Sequence, residues 1–192
     1  AFDARNLGRT HNIKLACEKI NNSIVLPGEV FSVDKALGPR TLANGYVEAT
    51  VILENEFVSG VGGGVCQIPT TLYVAVLKSM LQVVERRPHS LPPTYVKPGQ
   101  DATIAENYID FKFKNNSKYP ICIGARVEGN TVKILIAGKM PEKKYNVELK
   151  SEIIEEILPG EPEYIIDNSV PPGQRIVVQN EMKGFKVNVY RE

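Results

Sequence analysis

Several things are scarce in this sequence, and each scarcity narrows what the chain can do. Cysteine occurs three times in 192 residues, at Cys17, Cys66 and Cys122, and no two form a C-x-x-C pair. That spacing argues against a structural zinc site and leaves room for at most one disulfide plus a free thiol. Histidine occurs twice, at His11 and His89. Neither sign of charge predominates: 23 Lys and Arg against 22 Asp and Glu give a net charge of +1. Without a clustered positive field there is little counterion release to drive nucleic-acid binding. No apolar run is long enough to span a bilayer. No signal peptide or low-complexity segment is visible, yet the numbering starts abruptly at what reads as a domain edge. A targeting or anchor segment upstream is therefore as reasonable an expectation as a cytosolic origin.

Hydrophobic residues, by contrast, make up 43% of the chain, enough for a packed core. Residues 10–22 read as a helix, with Ile13, Ala16, Cys17 and Ile20 at helical spacing and Thr10 or Asn12 as caps. A turn at Pro27-Gly28 leads to a strand-like run from Val30 to Val33, then strands over Tyr46–Leu53 and at Phe57-Val58. Thr70–Leu81 is the clearest helix, with Leu72, Ala75, Val76, Ser79 and Met80 on one face and Pro69 suited to its first turn. Beyond Pro88 the pattern turns to β, with short strands over Asp101–Ala105, Ile109–Lys114, Pro120–Val127 and Thr131–Ala137. A polar stretch with Pro141, from Gly138 to Lys144, marks a boundary. The expected architecture is α+β: a mixed domain over 1–140 with two main helices and a β-rich second half, then a small all-β module over 145–192.

The segment Gly62-Gly63-Gly64-Val65-Cys66-Gln67-Ile68-Pro69-Thr70-Thr71-Leu72 carries most of the chemical information. Consecutive glycines permit backbone conformations closed to other residues and let a substrate approach the main chain. Cys66 then stands at the mouth of a helix, where unpaired amides and the macrodipole favour negative charge. A cysteine so placed can ionise at a pKa of roughly 3.5–7.5 instead of about 8.5. The amides from Gly64 and Val65 to Gln67, with the Gln67 side chain as a further donor, could hold an oxyanion. The alternatives are a tight turn with a packed cysteine, or a phosphate loop, for which the Lys-Ser/Thr ending is missing. His89, in a proline-cut strip, is the candidate base; His11 has a surface or capping role as its default. Asp101 is the first choice to orient the imidazole and Asp110 the second. Arg86 and Arg87 could take a carboxylate as a fork, and Tyr46 and Tyr95 could line a groove. Cys17 and Cys122 read as small core residues.

Taken together, Pro27-Gly28-Glu29-Val30-Phe31-Ser32, Gly38-Pro39-Arg40-Thr41, Gly45-Tyr46, the Gly62–Gln67 run, Thr70-Thr71-Leu72-Tyr73, Arg86-Arg87-Pro88-His89-Ser90 and Gly99-Gln100-Asp101-Ala102-Thr103 resemble a VanW domain, in order and spacing, from about Arg9 to Gly138. Pro69 departs from the small hydroxyl residue expected there. The tail resembles a G-five module through Ile157-Leu158-Pro159-Gly160, Pro172-Gly173 and Lys183-Gly184. The resemblance implies a Gram-positive, extracytoplasmic envelope setting and, for some members, L,D-transpeptidase activity that cross-links peptidoglycan stem peptides. It then implies Cys66 as nucleophile and His89 as base; on the transpeptidase reading Arg87 could hold the donor's terminal carboxylate. A cysteine peptidase acting on peptidoglycan and a non-catalytic wall-binding protein are the competing expectations. Stem peptides, and wall glycan through the tail, are the expected partners; no cofactor, metal, nucleic acid or membrane span is expected in the chain.

Overall fold

A computed structural model describes residues 2–53, 56–140, 145–171 and 173–192. The described residues fold as a mixed α+β protein with three α-helices and several small antiparallel sheets. Helix α1 spans Leu7–Ile20 and buries Asn12, Ile13, Ala16, Cys17 and Ile20, the one-face spacing read from the sequence. It starts earlier than the expected 10–22. Its cap is Asn6, whose side chain accepts from the Arg9 amide at 3.0 Å, not Thr10 or Asn12.

Asn12 instead lies inside the helix and is fully buried. It donates to the Val47 and Gly63 carbonyls at 2.9 and 3.0 Å and accepts from the Val47 amide at 2.9 Å. A buried amide that meets its hydrogen-bonding needs this way ties α1 to the glycine-rich turn.

Strands β1 (Ser23–Val25), β7 (Ile121–Glu128) and β8 (Thr131–Gly138) form one sheet in the order β1-β7-β8. A second has the order β2-β6-β5, from Val30–Ser32, Lys112–Lys114 and Gln82–Glu85. Strands β3 (Glu48–Leu53) and β4 (Glu56–Val61) form a hairpin leading into the glycines. The run expected to continue through Val33 stops at Ser32, whose hydroxyl caps a short helix α2, Val33–Leu37, that periodicity over five residues could not announce. Helix α3 covers Gln67–Lys78, three residues ahead of the expected start.

The expected strand over Asp101–Ala105 is not one. Its backbone hydrogen bonds go elsewhere: Ala102 exchanges two with the Thr70 hydroxyl, and the Thr103 amide donates to the Arg87 carbonyl. Pairing with another strand is confined to one bridge between Ala105 and Ile109. The core between α1, α3 and the two sheets includes Ile13, Leu72, Val76, Phe111, Phe113 and Ile123.

The tail forms a hairpin, β9 (Leu149–Ile157) with β10 (Gly184–Arg191). The linker expected at Gly138–Lys144 falls partly on residues 141–144, outside the described residues. Leu149 and Val189 pack on the core, and Gln100 donates to the Ser151 hydroxyl at 2.9 Å. No helix among the described residues is long and apolar enough to cross a membrane.

Replacing Asn12 with Ala leaves Val47 and Gly63 without their buried partners. The expected loss is about 2–4 kcal/mol, read as a lower midpoint in urea unfolding with an unchanged slope. A loss under about 0.5 kcal/mol would show that the tether contributes nothing.

Candidate active site

The glycine-rich turn is shaped by crowding as well as by dihedral freedom. Gly62 and Gly64 have φ of +87° and +94°, conformations that L-residues rarely adopt. A Cβ on Gly63 would stand 2.5 Å from the Thr50 carbonyl oxygen, and one on Gly64 would stand 2.6 Å from Arg9 Cγ. The three glycines let the chain turn against β3 and α1 before delivering Cys66 to the start of α3. Cys66 is the N-cap residue of that helix and makes no side-chain capping bond, so its sulfur is free for other contacts. The sulfur is 3.5 Å from the Thr103 hydroxyl and 3.6 Å from the Ile104 carbonyl oxygen.

His89, paired with Asp101 twelve residues on, brings its ring into hydrogen-bonding contact with this sulfur. The Asp101 Oδ2 atom accepts from the His89 amide at 2.7 Å and pairs with His89 Nδ1 at 2.7 Å. Its Oδ1 atom accepts from Arg86 Nη2 at 2.9 Å. Arg86 is further fixed by the Asp101 and Gly99 carbonyls at 2.6 and 3.0 Å and stacks on Tyr73, 5.3 Å from the ring centroid. The Asp101 and His89 side chains are each only 7% exposed.

Burial alone would raise the Asp101 pKa, but the His89 hydrogen bonds and the Arg86 charge hold it below the ordinary 3.8. Burial alone would lower His89, yet its hydrogen bonds to Asp101 and to the Cys66 sulfur, with both charges, push it up from 6.5 to about 9. Burial alone would raise Cys66; the His89 hydrogen bond and charge, helped by the Thr103 hydroxyl, hold it below the ordinary thiol value. These shifts run together toward a thiolate–imidazolium pair backed by a buried carboxylate. Cys17, by contrast, is buried with its thiol pushed up to about 11, mainly by desolvation. Cys122 is on the half-buried face of β7 and not in the core interior that its flanking isoleucines suggested.

Other expected site residues fall differently. The Val65 and Gln67 amides are used inside the turn, donating to the Gly62 and Gly64 carbonyls at 3.2 and 3.1 Å. Of the amides from Val65 to Gln67, that of Cys66 makes none of the turn's bonds. The Gln67 side chain is 3% exposed, and its oxygen accepts from Arg9 Nη2 at 2.8 Å, so it faces α1 and does not project as an oxyanion donor. Tyr46 lines no groove: it is fully buried, with its hydroxyl donating to the Leu37 carbonyl at 3.2 Å. Asp110 serves the start of α2, accepting from the Ser32 hydroxyl and the Asp34 amide, and among the described residues makes no hydrogen bond to His89 or Cys66. Arg86 is spent on Asp101 and does not form a fork with the exposed Arg87. Tyr95 stands at the site, in hydrogen-bonding contact with Thr70, its phenol raised by burial. His11 sits on the surface of α1, its Nε2 2.7 Å from the Gly45 carbonyl oxygen.

Arg9, Thr70 and Thr103 were missed as site residues. Thr70 and Thr103 lie inside matched motifs, but nothing in their local pattern distinguishes a site hydroxyl from a packed one. Among the described residues, no group of three or more His, Cys, Asp and Glu side chains is placed to hold a metal ion.

Residues 8–137 match the family described as VanW like protein. The chain belongs to the VanW-like family. Among curated VanW-like relatives, the uncharacterized protein YoaR of Bacillus subtilis (strain 168) is 41% identical over 135 residues, covering 70% of this chain and 45% of that protein. The vancomycin B-type resistance protein VanW of Enterococcus faecalis (strain ATCC 700802 / V583) is 26% identical over 145 residues, covering 72% of this chain and 53% of that protein. The chain thus spans about half the length of the curated relatives it matches. No solved structure matches it. The VanW-like match ends before β9, so it leaves the tail's likeness to a G-five module unsupported.

The coupling between sulfur and ring makes a testable prediction. Cys66 helps to raise His89, so Cys66→Ala should lower the His89 pKa clearly below about 9 in an NMR titration. Because the folded value exceeds the unfolded one, the His89 contribution to stability is complete below about pH 6.5 and disappears as pH rises through about 9. A His89 titration that ignores the substitution would show that the ring and the sulfur do not interact.

Proposed function

We propose that this VanW-like chain is an extracytoplasmic cell-envelope enzyme that cross-links peptidoglycan stem peptides by cysteine acyl transfer, as an L,D-transpeptidase. The observation that carries the proposal is the Asp101-held imidazole beside Cys66, with the cysteine at the start of a helix. The same pairing of nucleophile, base and orienting acid is the general arrangement for covalent acyl chemistry. The likeness to the Enterococcus vancomycin B-type resistance protein supports a role in wall metabolism. On this reading the domain over 1–140 carries the reaction, and the β module over 145–192 contacts wall glycan or holds the domain near it.

In the first half-reaction the Cys66 thiolate attacks the amide carbonyl of a donor stem. A C–S bond forms, and the Cys66 amide, unused in the turn, is available to donate to the developing oxyanion. The C–N bond then breaks as the His89 imidazolium protonates the leaving amine of the terminal residue. In the second half-reaction neutral His89 takes a proton from the amine of an acceptor stem. That amine attacks the thioester carbonyl, a new C–N bond forms, and the C–S bond breaks to regenerate the thiolate. Asp101 stays ionised throughout and holds the ring in register.

Purified muropeptides incubated with the protein should yield cross-linked dimers, detected by mass spectrometry. Cys66→Ala and His89→Ala should reduce them to background, and Asp101→Asn should slow them by on the order of 10²–10⁴-fold. Shortened peptides without dimers would identify a peptidase, and no Cys66-dependent product of either kind would leave a wall-binding protein.

A further inference from the structure

We propose that Arg9, and not Arg87, is the residue of this site that binds a substrate carboxylate. The proposal deepens the acyl-transfer reading and rests on it for the identity of the ligand. Arg9 is half-buried in the first turn of α1, a turn that contains no acidic residue. A cation there opposes the helix macrodipole, so its presence costs stability unless something offsets it. Among the described residues no carboxylate pairs with Arg9, and its guanidinium hydrogen bond runs from Nη2 to the Gln67 oxygen at 2.8 Å. A guanidinium has five N–H donors in a planar fork, which leaves a pair free to receive an anion.

Three contacts direct that fork toward the nucleophile. Gln67, which holds Nη2, is the residue after Cys66. The arginine stem crosses Gly64, two residues before Cys66, so closely that any side chain at 64 would displace it. The guanidinium also stands over the Tyr95 ring, 5.8 Å from the centroid, and the Tyr95 phenol is close enough to feel the charges of both Arg9 and Cys66. The other nearby cations are worse placed: Arg86 is bound to Asp101, and the exposed Arg87 lies beside Glu85. A peptide whose scissile carbonyl meets Cys66 would then set a carboxylate near that carbonyl, on the leaving residue, against Arg9.

Alkylation of Cys66 by iodoacetate and by iodoacetamide, followed on the Cys66 peptide by mass spectrometry, compares an anionic with a neutral reagent in the same reaction and needs no turnover. Arg9→Met keeps the stem over Gly64 and should lower the iodoacetate-to-iodoacetamide rate ratio by roughly three- to tenfold. In the unmodified chain, an N-acetylated D-alanyl dipeptide with a free C-terminus should protect Cys66 from iodoacetamide at roughly tenfold lower concentration than its C-terminal amide. An unchanged ratio in Arg9→Met, a fall seen instead in Arg87→Gln, or equal protection by the two dipeptides would overturn the assignment. If both expectations are met while muropeptides are not joined, the carboxylate site stands and the transpeptidase reading fails.

Discussion

The site depends on one buried carboxylate. Asp101 has little exposure to water, so its charge must be compensated by protein, and three groups do so: the Arg86 guanidinium, the His89 amide and the His89 ring. A buried ion with its hydrogen bonds met is far less costly than one left open, and removing any partner exposes the full penalty. The same contacts fix the position of the imidazole and raise its basicity, which in turn favours a charged sulfur across from it. The carboxylate therefore acts on Cys66 only through the ring.

The fold serves that arrangement by bringing three loops to the start of α3. Asn12 of α1 fixes the glycine turn, Thr70 of α3 fixes Ala102, and Arg86 fixes the Gly99–Asp101 carbonyls. The segment around Asp101 uses its backbone hydrogen bonds on these neighbours and not on a sheet partner. The tail hairpin reaches the same loop: a Cβ on Gly99, where φ is +80°, would meet Val187 and Val189 at 3.0 and 2.8 Å. Together with Gln100–Ser151, this contact makes β9 and β10 a backing for the segment that carries the acid. A cleft of about 250 Å³ lies there, lined by His89, Asp101, Lys97, several prolines and Phe185.

Much of this was legible in the sequence because periodicity reports burial. The face of α1 follows from apolar spacing, and the ordered motifs that single out Cys66, His89 and Asp101 lie within the family match. Of the face expected for α3 only Leu72 and Val76 are buried; the helix ends at Lys78, so Ser79 and Met80 lie beyond it and are exposed, while Tyr73 and Leu77 are buried instead. What else escaped was polar and non-local. Asn12 looked like a cap because asparagine favours caps, and only the tertiary fold shows it buried against Val47 and Gly63. Asp101–Ala105 alternated like a strand, but alternation cannot say whether the extended chain pairs with a strand or with a helix hydroxyl. Tyr46 offered an aromatic of the right kind, and its distance from the site is set by packing under α2. Arg9 carried no signal at all, since a lone arginine in a helix usually faces solvent.

The central claim is that the imidazole beside it makes the Cys66 thiol more acidic than an ordinary cysteine. Ultraviolet absorbance of the thiolate, titrated against pH and corrected with Cys66→Ser, tests this most directly. The expected thiolate signal has its midpoint below the ordinary thiol value of 9.0 and shifts upward when His89 is replaced by Ala. A signal that first appears at or above pH 9, with or without His89, would contradict it.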